Sequence, residues 1–335
     1  MNNFIKFFIF LNIFLPITVY GYEFSVMTLN VDNLFDTLDD KNKDDKAYLP
    51  IEAKQSDRHI KSCNRIRVKS WKNECLYLDW DEKAKDAKLN NLVATIVSYD
   101  NNGPDILALQ EVENNNILNQ LFELLEPYGY VETKLIEGKD YRGIDSALIT
   151  KFKIIDSALH YITFTGEFEG KDTRPILDVT LDVMGEQLKI YNVHFPSGFH
   201  DVSMRLDSLN LLQKLLKNQN YPTIALGDFN VNTKEDNKLN IYKSQENNWD
   251  VAHLVGCDSC KGSYYYNYGK TWEYLDTIFI SKDRGVSYIS NSINTHVTSI
   301  NAYKDTGKPI SFDSEKKYGV SDHLPVVAKL KINTF

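Results

Sequence analysis

Two hydrophobic periods alternate along this chain. In "YEFSVMTLNV", residues Phe24, Val26, Thr28 and Asn30 fall on one face of a period-two pattern, which predicts a strand. Between Glu82 and Tyr99, residues Leu89, Leu92, Val93 and Ile96 recur at the spacing of an amphipathic helix. "DILALQEVE" is a short continuous apolar run, the signature of a strand covered on both faces. Helices are predicted near Ile117 to Leu125 and Arg205 to Leu216, and strands at "DSALIT", "ILDVTLDV", "LKIYNVHF", "TIALGDFN", "YLDTIFIS" and "LPVVAKL". Residues 37–81 break this rhythm as a polar insertion, expected to be loop-rich. No repeat and no Pro/Gly/Ser linker divides the rest, so the pattern predicts one α/β domain, with two packed sheets and helices outside.

The pattern has a recurring exception: most strands finish on a carboxylate, amide or imidazole. Asn30 ends the first and Glu111 follows "ILALQ". In "LKIYNVHF" the alternation puts Leu188, Ile190, Asn192 and His194 on one face, so a row that starts in the core ends on a histidine. Asp228 and Asn230 stand two apart in "LGDFN", Asp276 lies in "YLDTIFI", and Asp322 with His323 opens the last strand. A single His or Asp at such a place is more often structural, but six strands sharing the exception point to one polar site.

Composition narrows the setting. "MNNFIKFFIFLNIFLPITVYG" has an early lysine, an apolar run and a small residue at a plausible cleavage point, so residues 1–21 read as a secretory signal and 22–335 as the exported domain, periplasmic or released. The four cysteines, Cys63, Cys75, Cys257 and Cys260, form two local pairs, and export favours two disulfides over a shared metal site. A redox-active CxxC would open a helix, whereas "KGSYYYNYGK" follows "CDSC". With 46 acidic against 38 basic residues and a formal charge of −8, the chain as a whole does not attract polyanions. One stretch opposes that balance: "RHIKSCNRIRVKSWKN" holds six Lys or Arg and no acid, as either a solvated face or a phosphate-tracking patch.

The strand-end set suits phosphodiester hydrolysis, which needs a positive centre, an activated water and donors to the developing oxyanion. Hard oxygens such as those of Glu111, Asn30 and Asp322 match Mg²⁺. His194 and His323, with Asp145 and Asp276 as spare carboxylates, supply imidazoles and groups to orient them.

The stretches "MTLNVDNLFD", "PDILALQEVEN", "YRGIDSALI", "TRPIL", "YNVHFPS", "LGDFN", "YLDTIFIS" and "SDHLPV" resemble, in order and spelling, the endonuclease/exonuclease/phosphatase superfamily. "ECLYLDW" and "CDSCKGSYYYNYGKTWEYLD" resemble its exported bacterial members, usually described as secreted nucleases. The resemblance implies a four-layered α/β sandwich of two mixed sheets packed face to face. It implies Glu111 as principal Mg²⁺ ligand, with Mn²⁺ or Ca²⁺ as substitutes, Asn30 supporting the metal, and Asp322 helping with metal or water. Asp228 would orient or deprotonate the attacking water, Asn230 would hold a phosphate oxygen, and His323 backed by Asp276 would contact the scissile phosphate. His194 matches the second histidine of the deoxyribonuclease branch, with Asp145 as its orienting partner, and Arg174 matches that branch's phosphate-contacting arginine. Arg142 and Asn192 are further substrate-binding candidates.

The expected activity is a monomeric, Mg²⁺-dependent nuclease acting on DNA and in second place RNA, without stable membrane association or a protein partner. The alternatives are a phosphodiesterase or phosphatase of lipid or small phosphoesters, and a noncatalytic binding or toxin subunit. A sphingomyelinase would carry an exposed aromatic hairpin, and no apolar tip stands out in the sequence.

Overall fold

The computed structural model describes residues 20–257 and 260–334. In chain order the strands are β1 (Tyr20–Leu34), β2 (Ile106–Val112), β3 (Glu132–Leu135), β4 (Asp145–Thr150), β5 (Lys153–His160), β6 (Ile176–Val183), β7 (Glu186–His194), β8 (Thr223–Asp228), β9 (Trp249–Val251), β10 (Tyr264–Tyr266), β11 (Thr271–Glu273), β12 (Asp276–Ser281), β13 (Val286–Tyr288), β14 (Asn294–Thr295) and β15 (Val326–Thr334). The helices are α1 (Asp57–Asn64), α2 (Lys69–Tyr77), α3 (Glu82–Val97), α4 (Asn115–Leu125), α5 (Val202–Lys217), α6 (Thr233–Leu239) and α7 (Ala252–Val255).

Two large mixed sheets form. The first runs β13-β15-β1-β2-β4-β3, with β14 paired to β15, and the second runs β5-β6-β7-β8-β12-β9. β1 pairs β2 in parallel, as β7 pairs β8, while the other neighbours are antiparallel. The period-two faces explain the layering. Phe24, Val26, Ile106, Ala108 and Leu148 of one sheet meet Leu177, Leu188, Ile190, Ile224, Leu226 and Ile278 of the other in a dry seam. The opposite face of the first sheet, through Met27, Leu29, Leu107 and Leu109, buries Leu89, Leu92 and Ile96 of α3 and Ile117 and Leu121 of α4. The second sheet likewise covers Leu209, Leu212 and Leu216 of α5. The result is the expected four-layered sandwich of helices, sheet, sheet and helices.

Residues 37–81 depart from the loop-rich expectation, since α1 and α2 occupy much of them. Ser56 caps α1 by accepting from the His59 amide, and the Cys63–Cys75 disulfide joins the two helices. The buried Lys54 ammonium donates to the Ala47, Glu74 and Leu78 carbonyls, which places a cation at the C-terminal end of α2. Cys257 and Cys260 form the second disulfide. The secretory-signal reading lies almost wholly outside the described residues, although Tyr20 and Gly21 already pair with Thr334 and Asn333 in β1. Among the described residues, no helix is long and apolar enough to cross a membrane.

Candidate active site

The seam between the sheets is apolar through its depth and turns polar at one end. In the second sheet His194 pairs with Asp228 across β7 and β8, and Asp228 with Asp276 across β8 and β12. Three titratable side chains therefore stand in one cross-strand row, each continuing the face that carries Ile190, Leu226 and Ile278 below. Gly227 permits the closeness of β7 and β8: its φ is +141°, and a Cβ there would lie 2.0 Å from the Val193 carbonyl oxygen.

The turn before β15 adds His323 to this row. Ser321 Oγ donates to the Asn30 carbonyl at 2.6 Å and accepts from the His323 amide at 3.0 Å, which staples the turn to β1. His323 Nδ1 then lies 2.5 Å from Asp276 Oδ2, and the Asp276 carboxylate is fully buried. His323 Nε2 stands 3.7 Å from Asp322 Oδ1. Asp228 is fixed from two sides, accepting from Asn30 Nδ2 at 3.1 Å and from the Asn230 amide at 2.9 Å.

Glu111 reaches the site by breaking its strand's rule. Alternation along β2 would put it with Leu107 and Leu109, facing the helices. Instead Asn30 pairs with Gln110 and Leu34 with Val112, so Val31, Asp32 and Asn33 oppose Glu111 alone. Asp32, Asn33 and Glu111 all have positive φ, of 53°, 62° and 67°. This irregularity re-aims Glu111 into the seam, as bulges beside active sites do. Its Oε2 accepts from the Asn33 amide at 3.1 Å, and its Oε1 lies 3.7 Å from His194 Nε2, which is itself 3.6 Å from Asp228 Oδ2.

The donor set fits a hard divalent cation. Glu111 Oε1 accepts no hydrogen bond among the described residues, half-exposed Asp322 faces His323 Nε2 at 3.7 Å, and Asp228, Asp276 and His323 offer ligand atoms within 4.8 Å of one another. Burial raises the pKa of both Asp228 and Asp322, helped by Asp276 and Glu111 for the first and by Asp32, Glu111 and Asp228 for the second. The histidines diverge. Burial opposes charge on His323, but Asp276, Asp322 and Asp228 outweigh it and hold the imidazolium well above its ordinary value. Burial lowers His194 far below that value, and Arg174, Arg142 and His323 push the same way.

Asn30, Glu111, His194, Asp228, Asn230, Asp276, Asp322 and His323 thus come together. Asn192 does not belong with them and corrects the substrate-binding expectation. It is fully buried below the row, donating to the Leu109 and Ala147 carbonyls and accepting from Gln110 Nε2, so it ties the sheets together. Asn230 Nδ2 is engaged by the Phe195 carbonyl at 3.1 Å. Arg174 is buried, with one arm on that same carbonyl and another 3.5 Å from Asp140, whereas Arg142 is exposed and donates to Asn33 Oδ1 at 2.6 Å beside Glu111. Asp145 makes no hydrogen bond to His194. Its Oδ1 accepts from the Gly138 amide, while its Oδ2 and His194 Nδ1 are both buried without hydrogen-bond partners among the described residues. Burial, opposed by that amide, raises Asp145 to about 7.

Sequence reasoning passed over Asn33, Ser321, Arg205 and Lys88. The signals were present: Asp32-Asn33 is a pair that tolerates positive φ, and "VSDH" puts a hydroxyl before the acid–histidine pair. Arg205 is buried and holds the Pro196, Ser197 and His200 carbonyls, which shapes the loop after His194. Lys88 is buried and donates to the Asp32 and Val320 carbonyls, bracing the two loops that carry the acids.

Fold and donor set together define a class, the α/β-sandwich phosphoester hydrolases. The chain belongs to the Endonuclease/Exonuclease/phosphatase family, whose model matches residues 77–332. Similar solved structures include humanized D. rerio TDP2, at 14% identity and a TM-score of 0.57, covering 92% of this chain and 98% of that one. A family protein from Bacteroides thetaiotaomicron is 17% identical with a TM-score of 0.55, covering 94% of this chain and all of that one. The human Nocturnin catalytic domain with bound sulfate is 19% identical with a TM-score of 0.54, covering 94% and 98%. These likenesses concern the fold. No curated protein matches the chain.

Proposed function

We propose that this protein is an exported, Mg²⁺-dependent nuclease that cuts DNA, and secondarily RNA, by single-step attack of water on a phosphodiester. The observation that carries the reading is the row His194–Asp228–Asp276 with His323 bonded to its end. Asp228, held by Asn30 and the Asn230 amide and raised by its neighbours, is a base poised to take a proton from the attacking water. His323, kept charged by Asp276, donates from Nε2 to a nonbridging phosphate oxygen. His194, whose pKa burial and the nearby Arg174 and Arg142 lower, offers a second imidazole to the phosphate without adding a charge. Glu111, with Asp322 and Asn30, would hold the metal, which when bound polarises the phosphate and offsets charge developing on it.

Two surface features support nucleic acid as substrate. Arg58, Lys61, Arg65, Arg67, Lys69 and Lys72 lie on α1, α2 and their junction, and no ion pair engages any of them among the described residues. Exposed Trp71 stands among them. Beside the row, Tyr264 lies 5.1 Å from the His323 ring at the start of the β10–β11 hairpin, and Tyr266 and Tyr268 at its tip are exposed. That hairpin also favours the second reading, a lipid phosphodiesterase, because exposed Tyr266 and Tyr268 give it an aromatic tip.

The test is residues 22–335 incubated with plasmid DNA, RNA, sphingomyelin vesicles and a chromogenic phosphodiester, with Mg²⁺ or with chelator. DNA cleavage that requires Mg²⁺ is the expected result. Sphingomyelin hydrolysis with intact DNA would replace the reading by the lipid one, and no hydrolysis of any substrate would remove it.

A further inference from the structure

A second group of acids gathers just past the end of β2, where Glu113 meets the 36–45 loop. Asp40, Asp45 and Glu113 offer carboxylate oxygens within 4.8 Å of one another, and Asp45 and Glu113 are buried at 1% and 3% exposure. Each buried carboxylate spends one oxygen on the chain: Asp45 Oδ2 accepts from the Asp40 amide at 2.6 Å, and Glu113 Oε2 from the Asp36 amide at 2.8 Å. The other oxygens, Asp45 Oδ1 and Glu113 Oε1, are buried with no hydrogen-bond partner among the described residues. Among the described residues no Lys or Arg is ion-paired with any of the three, since Lys46 is engaged by Asp44. Two buried carboxyl oxygens left without a hydrogen-bond partner are costly, and a bound cation would supply that partner.

We propose that Asp40, Asp45 and Glu113 form a Ca²⁺ site, separate from the catalytic row, that clamps the 36–45 loop onto the end of β2. Ca²⁺ accepts several carboxylates and waters in irregular geometry, whereas Mg²⁺ demands an octahedron and seldom takes a dedicated carboxylate cage. The surroundings are built to hold the loop there. Asn114, the N-cap of α4, donates to both Asp36 and Asp40 at 3.2 Å, and Asn116 donates to Asp36 at 2.7 Å. The loop then reaches the substrate side: the Asp44 amide donates to the Tyr141 carbonyl at 2.8 Å and Lys43 Nζ to the Asp140 carbonyl at 3.1 Å, bracing the turn that carries Arg142.

This inference stands apart from the phosphodiester reading, and its readout is ion binding rather than hydrolysis. Chelator-stripped protein is titrated with CaCl₂ in wild-type, Glu111→Gln, Asp45→Asn and Asp40→Asn forms, following the melting temperature and counting bound calcium by equilibrium dialysis. Glu111→Gln removes the catalytic ligand and leaves this cluster intact. Glu111→Gln should gain at least about 2 °C at millimolar Ca²⁺, retain one ion and gain less in equimolar Mg²⁺, while wild type should show at least the same Ca²⁺ gain and retain at least one ion. Asp45→Asn and Asp40→Asn should lose most of that gain, and half-buried Asp40 provides a folded variant should Asp45→Asn fail to fold. No calcium retained by Glu111→Gln, an unchanged Ca²⁺ gain in both asparagine variants, or a larger gain from Mg²⁺ than from Ca²⁺ in Glu111→Gln would each overturn the proposal.

Discussion

The two histidines at the polar end of the seam are the same residue type and both buried, one ending β7 and the other in the turn before β15, and they differ in what meets Nδ1. His323 has Nδ1 bonded to a fully buried carboxylate and Nε2 facing Asp322, so it stays charged. His194 has Nδ1 without a partner among the described residues and Nε2 3.7 Å from Glu111 and 3.6 Å from Asp228, yet burial, with Arg174, Arg142 and His323, lowers its pKa far below the ordinary value. What separates them is the register of the second sheet, which sets Asp276 beside the His323 turn and places no acid in bonding reach of His194 Nδ1. Role follows from neighbours rather than from residue type.

Replacing Glu111 with Gln removes the carboxylate beside His194 and the proposed metal's main ligand. Activity on a chromogenic diester should fall by roughly a thousandfold, the scale of several kcal/mol, with a sharply weakened Mg²⁺ titration and an unchanged far-UV spectrum. An unaltered Mg²⁺ titration would take Glu111 out of the site.

The His323 side of the comparison should break next. Asp276→Asn and His323→Ala should each lower kcat by about a hundredfold or more. The double variant should be scarcely worse than His323→Ala alone, because Asp276 acts through the imidazole. Additive losses in the cycle would mean that Asp276 contacts the reaction independently.

Below the row, Asn192 should behave as structure rather than chemistry. Asn192→Ala strands two carbonyls and the Gln110 amide, so denaturant unfolding should register a loss of about 3 kcal/mol with kcat per folded molecule retained. A large kcat loss without destabilisation would return Asn192 to the substrate contacts. The smallest effect is expected at the surface. Neutralising Arg65, Arg67 and Lys69 should raise KM for long DNA and flatten its salt dependence by about one log–log unit per charge, leaving the small diester unaffected.

Much of this was legible in the sequence because strand alternation carries a face from the apolar seam to its polar end. Ile190 predicts the direction of Asn192 and His194, and Leu226 that of Asp228. Alternation could not say how far along the seam polarity becomes accessible, so Asn192 looked like a substrate contact. It also failed at Glu111, whose direction depends on three opposing residues of β1, a long-range pairing with no local trace. The edge strand β5 was missed because its half-exposed positions lack a clean apolar face, and α1 and α2 because a capping serine, a disulfide and a buried lysine support them more than hydrophobic periodicity does.

The central claim, that one histidine is charged and the other neutral at the same pH, is open to direct measurement. Long-range ¹H–¹⁵N spectra of imidazole-labelled protein, assigned with His194→Gln and His323→Gln, would follow both rings through a pH titration. His323, raised, contributes stability present below the ordinary value near 6.5 and lost as pH climbs through its folded value. His194, depressed, costs stability as pH falls below that ordinary value, because only the unfolded chain then takes the proton. At pH 7 the account predicts an imidazolium signature for His323 and a single neutral tautomer for His194. Two rings titrating together near 6.5 would contradict it.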